Sequence, residues 1–294
     1  MGKVTMRNKR EFTVSEAIEH FMRKCTSKNL SHKTLGVYKQ RLKTFQVFLD
    51  DDIYLISSIT IDTVDDYILY LKETGTRNDV TVVSHLRDLR VFLYFFMDEG
   101  QLSQFKIKLP KVDKKLKETY SDEELKLLLK KPNLKTCDFS EYKIWTLTNY
   151  LIATGSRISS VLNIKINDLD FDNALIKVSV TKNRKAQMIP MSATLATVLQ
   201  EYLVYRMGEP ADYLFCNTVG GKAEIRTYQD MIAKYNKKRG VIKTSAHLYR
   251  HTFAKMWILN GGDIFRLQKI LGHSDLSMVR EYVNMYSNSI CLPK

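Results

Sequence analysis

Cysteine is scarce: the 294 residues contain four. Cys25, Cys137, Cys216 and Cys291 lie far apart and form no CxxC pair, so they read as reduced thiols rather than as a disulfide framework or a zinc site. No apolar run is long enough to span a bilayer, and the basic stretch from Met1 to Arg10 leads into no hydrophobic leader core. A soluble cytoplasmic chain with no membrane partner is therefore expected. There is no internal repeat, low-complexity tract, Walker A motif or acidic cluster suited to a metal. Acidic residues are also under-represented, 32 against 46 Lys and Arg, which gives a formal charge of +14. With 44% hydrophobic and 11% aromatic residues, this composition describes a folded protein with a polyanionic partner rather than a basic tail. Charge alone would equally suit RNA, a ribosome or an anionic membrane surface. The length predicts about two domains.

What is present is mostly helical periodicity. Thr13-Val14-Ser15-Glu16 is a capping-box sequence that opens a helix through Ala17, Ile18 and Phe21. A second helix, Thr34 to Leu49, places Leu35, Tyr38, Leu42, Phe45 and Leu49 on one face. A third runs from Asp62 to Lys72 and stops at Gly75, and a fourth from Thr81 to Met97 ends near Gly100. Four helices in about ninety residues predict a compact bundle over residues 1–103. Residues 104–118 carry six lysines around Pro110, lose apolar periodicity and read as a basic interdomain linker. A second domain, 119–294, begins at the capping box Ser121-Asp122-Glu123-Glu124.

That second domain is predicted to be mixed but mostly helical. An apolar helix from Ser140 to Ile152 precedes Thr154-Gly155-Ser156-Arg157-Ile158-Ser159. Two short strands follow, Ala174 to Val180 and Ala186 to Met191, joined by the basic tip Thr181 to Lys185 as a small antiparallel hairpin. Helical periods resume at Leu195 to Tyr205, Tyr228 to Lys237 and His247 to Asn260. On the last of these, His247 and Arg250 share a face at i and i+3. A short helix, Ile264 to Leu271, ends at Gly272, His273 sits in a turn, and a final helix from Asp275 carries Tyr282 beside the stripe Val279, Val283 and Tyr286.

HxxR at His247, LGH at Leu271 to His273 and Tyr282 nine residues later, in that order, resemble the C-terminal signature of the tyrosine recombinases, or phage integrase family. The Thr-Gly-x-Arg-Ile-Ser segment is similar to the family's first arginine motif. The hairpin is similar to the one that carries the family's lysine, with Thr181-Lys182-Asn183 where GKG is usual. The resemblance covers nearly the whole chain. It implies a mainly α fold with an N-terminal SAM-like, core-binding four-helix bundle and a catalytic domain, in the short Xer-like layout. It also implies the catalytic set Arg157, Lys182, His247, Arg250, His273 and Tyr282.

In the implied mechanism Tyr282 attacks a phosphodiester to form a 3′-phosphotyrosyl bond and release a 5′-hydroxyl. Arg157 and Arg250 fork the non-bridging oxygens, and Lys182 protonates the leaving oxygen. His247 assists proton removal from Tyr282, and His273 donates to a phosphate oxygen. Neither metal nor other cofactor is expected. Lys33, Lys39, Arg41, Lys43 and Arg87 in the bundle, Lys111, Lys114 and Lys115 in the linker, and Arg184 and Lys185 at the hairpin tip are the expected DNA contacts. The resemblance further implies specific double-stranded recombination sites, a homotetramer on paired sites that is weak or monomeric without DNA, a Holliday junction, and a nucleoid-associated prokaryotic protein.

Three rival readings remain at this stage: a type IB topoisomerase, a clamp that binds DNA for architecture or regulation without cutting it, and a generic basic helical protein whose motifs are coincidental. Two positions depart from the family pattern. Ser160 stands where an acidic residue is usual, and Gln187 where an arginine is often found before the hairpin's closing VPL, here Ile189-Pro190-Met191.

Overall fold

The computed structural model describes residues 11–50, 54–74, 77–113, 117–179, 186–273 and 275–286. The chain divides into two compact units, Met1–Lys114 and Lys115–Lys294. Among the described residues no helix is long and apolar enough to cross a membrane.

Among the described residues the first unit contains four α-helices, each with a side-chain N-cap. Helix α1 (Val14–Ser27) opens with the reciprocal Thr13–Glu16 capping box, and α2 (His32–Leu49) is capped by Ser31, two residues earlier than its apolar period suggests. Helix α3 (Ile61–Glu73) is capped by Thr60 and α4 (Asp79–Asp98) by Asn78. These oxygens satisfy amide donors that the helices cannot satisfy internally. Gly75, the expected stop of α3, lies outside the described residues. The core is strongly aromatic: Phe21 meets Phe92 edge-on at 5.5 Å and Phe45 meets Tyr67 at 5.0 Å. Part of the stretch expected to be linker belongs to this core. Ile107 is buried, Phe105 and Leu109 pack beside it, and the Ile107 amide donates to Tyr94 Oη at 3.2 Å. The period-2 pattern Phe105, Ile107, Leu109 was masked in the sequence by the lysines that alternate with it.

The second unit is built around α6 (Phe139–Thr154), which is buried on nearly every side, from Tyr142 and Trp145 to Tyr150 and Leu151. The short α5 (Asp122–Leu129) packs on it, again behind a reciprocal capping box. After α7 (Ile158–Val161) the strands β1 (Leu169–Asp170), β2 (Leu175–Val178) and β3 (Gln187–Pro190) form one antiparallel sheet in that order. Ile176 pairs with Ile189 and Val178 with Gln187, and Ile176, Val178 and Ile189 point into the core. The two-residue β1 is too short to leave a period in the sequence. Helices α8 (Ala193–Arg206) and α9 (Ile225–Lys238) and then α10 (Ala246–Leu259) pack against α6. Finally α11 (Ile264–Leu271) and α12 (Ser277–Tyr286) close a satellite core with α10, formed by Ala254, Ile258, Leu267, Leu271, Val279 and Tyr282.

Gly155 ends α6 in the left-handed region at φ 60°, where the next turn must reverse sharply. A Cβ there would lie 2.4 Å from the Phe253 ring, so both the conformation and the close approach require glycine. Gly36, inside α2, faces open space. Gly155→Ala should destabilise the protein by roughly 1–3 kcal/mol through strain and overlap. Gly36→Ala should stabilise it by roughly 0.5–1 kcal/mol. Urea unfolding of the two variants checks both signs.

Candidate active site

Helix α10 supplies three of the groups. His247, Arg250 and His251 stand at i, i+3 and i+4 and therefore share one face. The Arg250 guanidinium is buried at 6% exposure and donates from Nη1 to the Gly155 carbonyl at 2.9 Å. From Nη2 it donates to the Leu271 carbonyl at 2.7 Å and to His273 Nε2 at 2.6 Å. Arg157, at the head of α7, reaches the same Leu271 carbonyl at 3.4 Å. Both cations thus converge on the C-terminal end of α11, and Arg250 also on that of α6, where unpaired carbonyls and the helix dipole favour positive charge.

Neither Arg157 nor Arg250 forms an ion pair with a carboxylate among the described residues. Burial and the neighbouring Arg157 charge push the Arg250 pKa down to about 10, and burial lowers that of Arg157. Two close, partly desolvated guanidiniums held by carbonyls and by His273 rather than by carboxylates are suited to a bound anion, which would relieve their mutual repulsion. His273 adds a donor. Because Arg250 occupies its Nε2 as an acceptor, the ring proton must sit on Nδ1, and Nδ1 is buried with no hydrogen-bond partner among the described residues.

The turn that carries His273 is fixed by Gln187, whose amide nitrogen donates to the Lys269 and Ile270 carbonyls at 2.6 and 2.7 Å. The position where the family often has an arginine therefore holds the end of α11 from the sheet. Ser160, the other departure, is buried in α7 and donates its amide to Arg157 O at 2.8 Å.

Tyr282 is only 2% exposed, inside the stripe rather than beside it. Its Oη lies 2.7 Å from His251 Nδ1, and its ring lies beneath Lys117 Nζ, 4.4 Å from the centroid. Lys117 also pairs with Glu281 at 2.8 Å, and burial raises the Tyr282 pKa. The segment bearing Lys117 is anchored just beyond it. The Tyr120 amide donates to Thr252 Oγ1 at 2.9 Å, Asn236 Nδ2 donates to Tyr120 Oη at 2.9 Å, and Lys243 Nζ donates to the Thr119 carbonyl at 3.0 Å. His247, expected to assist Tyr282, makes no hydrogen bond with it among the described residues; burial and the charges of Arg250 and Arg157 lower its pKa.

Sequence reasoning thus brought Arg157, His247, Arg250 and His273 to one site but missed His251 and Lys117 as neighbours of Tyr282. A second histidine four residues after the first, on the same helical face, was the available signal for His251. Lys117 was one lysine among six. Lys182, Arg184, Lys185, Lys114 and Lys115 lie outside the described residues. Lys33, Lys39, Lys43, Arg87 and Lys111 are exposed. Arg41 differs from the expected DNA contact: its guanidinium turns inward to Asp88 at 2.5 Å and the Ser84 carbonyl at 2.9 Å, tying α2 to α4.

Burial, with Lys117 for His251 and Arg250 for His273, pushes both imidazoles from 6.5 down to about 4. The folded state therefore favours their neutral forms, while the unfolded chain takes up protons below 6.5. Their stabilising contribution is complete above about pH 6.5 and is lost as pH falls towards 4. A His251→Gln/His273→Gln double variant should lose less thermal stability across that window than the parent, which unfolding midpoints measured from pH 7 to 4.5 would reveal.

Residues 119–289 match the Phage integrase family, and residues 13–108 match the Phage integrase SAM-like domain. The chain is 28% identical over 273 residues to the tyrosine recombinase XerD of Staphylococcus saprophyticus, covering 90% of this chain and 91% of that protein. It is 25% identical over 292 residues to XerC of Roseiflexus castenholzii, covering 95% and 92%. Among solved structures its fold is similar to the Tn1549 transposon integrase in complex with transposon right end DNA, with TM-score 0.77, 22% identity and coverage of 92% and 94%. It is also similar to the XerH site-specific recombinase bound to a palindromic difH substrate, with TM-score 0.73, 20% identity and coverage of 95% and 83%. The match to both domains, over more than half of the chain, shows that it belongs to the phage integrase family of tyrosine recombinases.

Proposed function

We propose that the chain is a site-specific DNA recombinase that cuts and rejoins DNA through Tyr282. The observation that carries this reading is the pair of guanidiniums, Arg157 and Arg250, that have no carboxylate partner among the described residues, beside a buried tyrosine. A phosphodiester brings the anion that the pair lacks, and its transition state gathers more charge on the same non-bridging oxygens. His273, bonded through Nε2 to Arg250, and His247, whose pKa both arginines help to lower, accompany the pair.

The attack forms a 3′-phosphotyrosyl bond, which conserves the energy of the broken linkage for religation. Lys182 is the proposed general acid for the 5′ oxygen, with Arg184 and Lys185 on flanking phosphates. The exposed Lys33, Lys39, Lys43, Arg87 and Lys111, with Lys114 and Lys115, supply sequence-independent phosphate contacts on double-stranded DNA. Four protomers on paired sites, exchanging strands through a Holliday junction, complete the proposed cycle.

The test is single-turnover cleavage of nicked suicide duplexes drawn from the flanks of the chain's own gene. Wild-type protein should form a covalent protein–DNA adduct on a denaturing gel, and Tyr282→Phe should form none. Arg250→Ala should slow cleavage by roughly 10²–10³-fold, the scale of losing one preorganised charge-stabilising group. Tight binding without an adduct anywhere in the flanks would favour the non-cleaving clamp.

A further inference from the structure

We propose that His251 is the group that takes the phenolic proton of Tyr282 during strand cleavage and returns it during religation. The inference rests on the recombinase reading above and places on His251, outside the six family motif positions, the proton-accepting role that the resemblance implies for His247. Its basis is contact: Nδ1 of His251 lies 2.7 Å from the atom that must become the nucleophile, with ring centroids 5.7 Å apart.

The direction of that hydrogen bond follows from its partners. Burial keeps the phenol protonated and the imidazole neutral. Between a neutral phenol and a neutral imidazole, the phenolic O–H is the more acidic donor and the ring nitrogen the stronger acceptor. The proton therefore lies on Tyr282 Oη and points at His251 Nδ1. Bulk water is a poor competitor, because Tyr282 is almost fully covered. The nearest carboxylate on the same helix, Glu281, is drawn to Lys117. His247 makes no hydrogen bond with Tyr282 among the described residues and lies instead with the two arginines.

The step balances without any further reactant. Tyr282 Oη gives its proton to Nδ1, the freed electron pair forms the Oη–P bond, and the P–O5′ bond breaks. The 5′ oxygen leaves with a proton from the general acid proposed at Lys182. On religation the 5′-hydroxyl attacks, its proton returns to the acid, and the departing Oη recovers its own from His251. The charged groups facing His251 make this acceptor sensitive to substrate. Lys117 from the segment ahead of α5, with His247 and Arg250 on α10, disfavours the imidazolium in the empty site. A phosphodiester seated on Arg250, the residue adjacent to His251, offsets that repulsion and makes the ring more basic when its proton is needed.

Two measurements test this, and only one requires a cleavable site. In ¹⁵N-histidine NMR of the DNA-free protein, His251 Nδ1 should appear as an unprotonated, hydrogen-bonded nitrogen, and Tyr282→Phe should remove that bond. A protonated Nδ1 would overturn the proposal whether or not the chain is a recombinase. On the suicide duplex, His251→Gln offers the phenol an acceptor oxygen but cannot take its proton. DNA affinity should stay within about threefold, and cleavage should fall by roughly 10²-fold or more. The residual rate should rise about tenfold per pH unit from 6 to 9, as solvent base replaces the ring. A 5′-phosphorothiolate leaving group, which needs no proton, should not restore the rate. Wild-type cleavage by His251→Gln, a loss with an unchanged pH profile, or rescue by the sulfur substrate would each overturn the role. Failure of the wild-type protein to cleave would count against the recombinase reading instead, leaving the NMR arm to decide for His251.

Discussion

The site depends on one arrangement: a buried arginine held by backbone carbonyls instead of by a carboxylate. Arg250 joins the end of α6, through Gly155 O, to the end of α11, through Leu271 O. A carboxylate would neutralise it more completely and would also block any incoming anion. Carbonyls at helix C-termini offset part of the desolvation while leaving the net charge available. The geometry then places constraints outward. Gly155 must be glycine so that Phe253 and Leu271 can approach, Gln187 must hold the last carbonyls of α11, and His273 meets Arg250 through Nε2.

A second constraint acts on Tyr282 from the opposite end of the domain sequence. Lys117 is bound to the second unit through the buried Tyr120–Asn236–Tyr249 network, in which Tyr249 Oη donates to Asn236 Oδ1 at 3.0 Å. Its ammonium sits over the Tyr282 ring and beside Glu281, so the start of the domain packs against its last described helix. A cation over the ring face attracts the phenolate more than the phenol, because the π-system gains charge on deprotonation. The same cation repels an imidazolium at His251. Burial opposes loss of the tyrosine's proton, Arg250 and Arg157 favour it, and Lys117 disfavours a charged acceptor, a balance that a bound phosphate's negative charge would shift.

How much of this was legible in the sequence depends on the range of the interactions. Caps and apolar periods act within a few residues, so the helices of both units, including the Thr13–Glu16 and Ser121–Glu124 capping boxes, were readable. Arg157, Arg250 and His273, whose order and spacing are unusual, were expected together and share the Leu271 carbonyl and the Arg250–His273 contact. What was lost lies in long-range partnership. Arg41 looks like any surface arginine until α4 brings Asp88 to it. Phe105, Ile107 and Leu109 look like linker until Tyr94 supplies a donor and a wall. His251 and Tyr282 are 31 positions apart, and helical spacing can place both near the site without saying which imidazole of α10 meets the phenol.

That last ambiguity is resolved by the pitch of α10. Residues at i, i+3 and i+4 share a face but fan across it, with each position turned 100° from the one before. Arg250 and His251 therefore diverge by one such step. The guanidinium points to the helix ends where a phosphate would sit, and the imidazole points to the satellite core that contains Tyr282. His247, a turn earlier, returns close to the direction of His251 but makes no hydrogen bond with the phenol among the described residues, and the charges of Arg250 and Arg157 act on it. One helix thus presents an anion holder and a proton acceptor as consecutive residues, aimed at the two atoms that must meet in the reaction. Inserting or deleting a single residue before His251 would rotate those directions apart, so HxxR followed at once by histidine is a geometric unit rather than three separate signals.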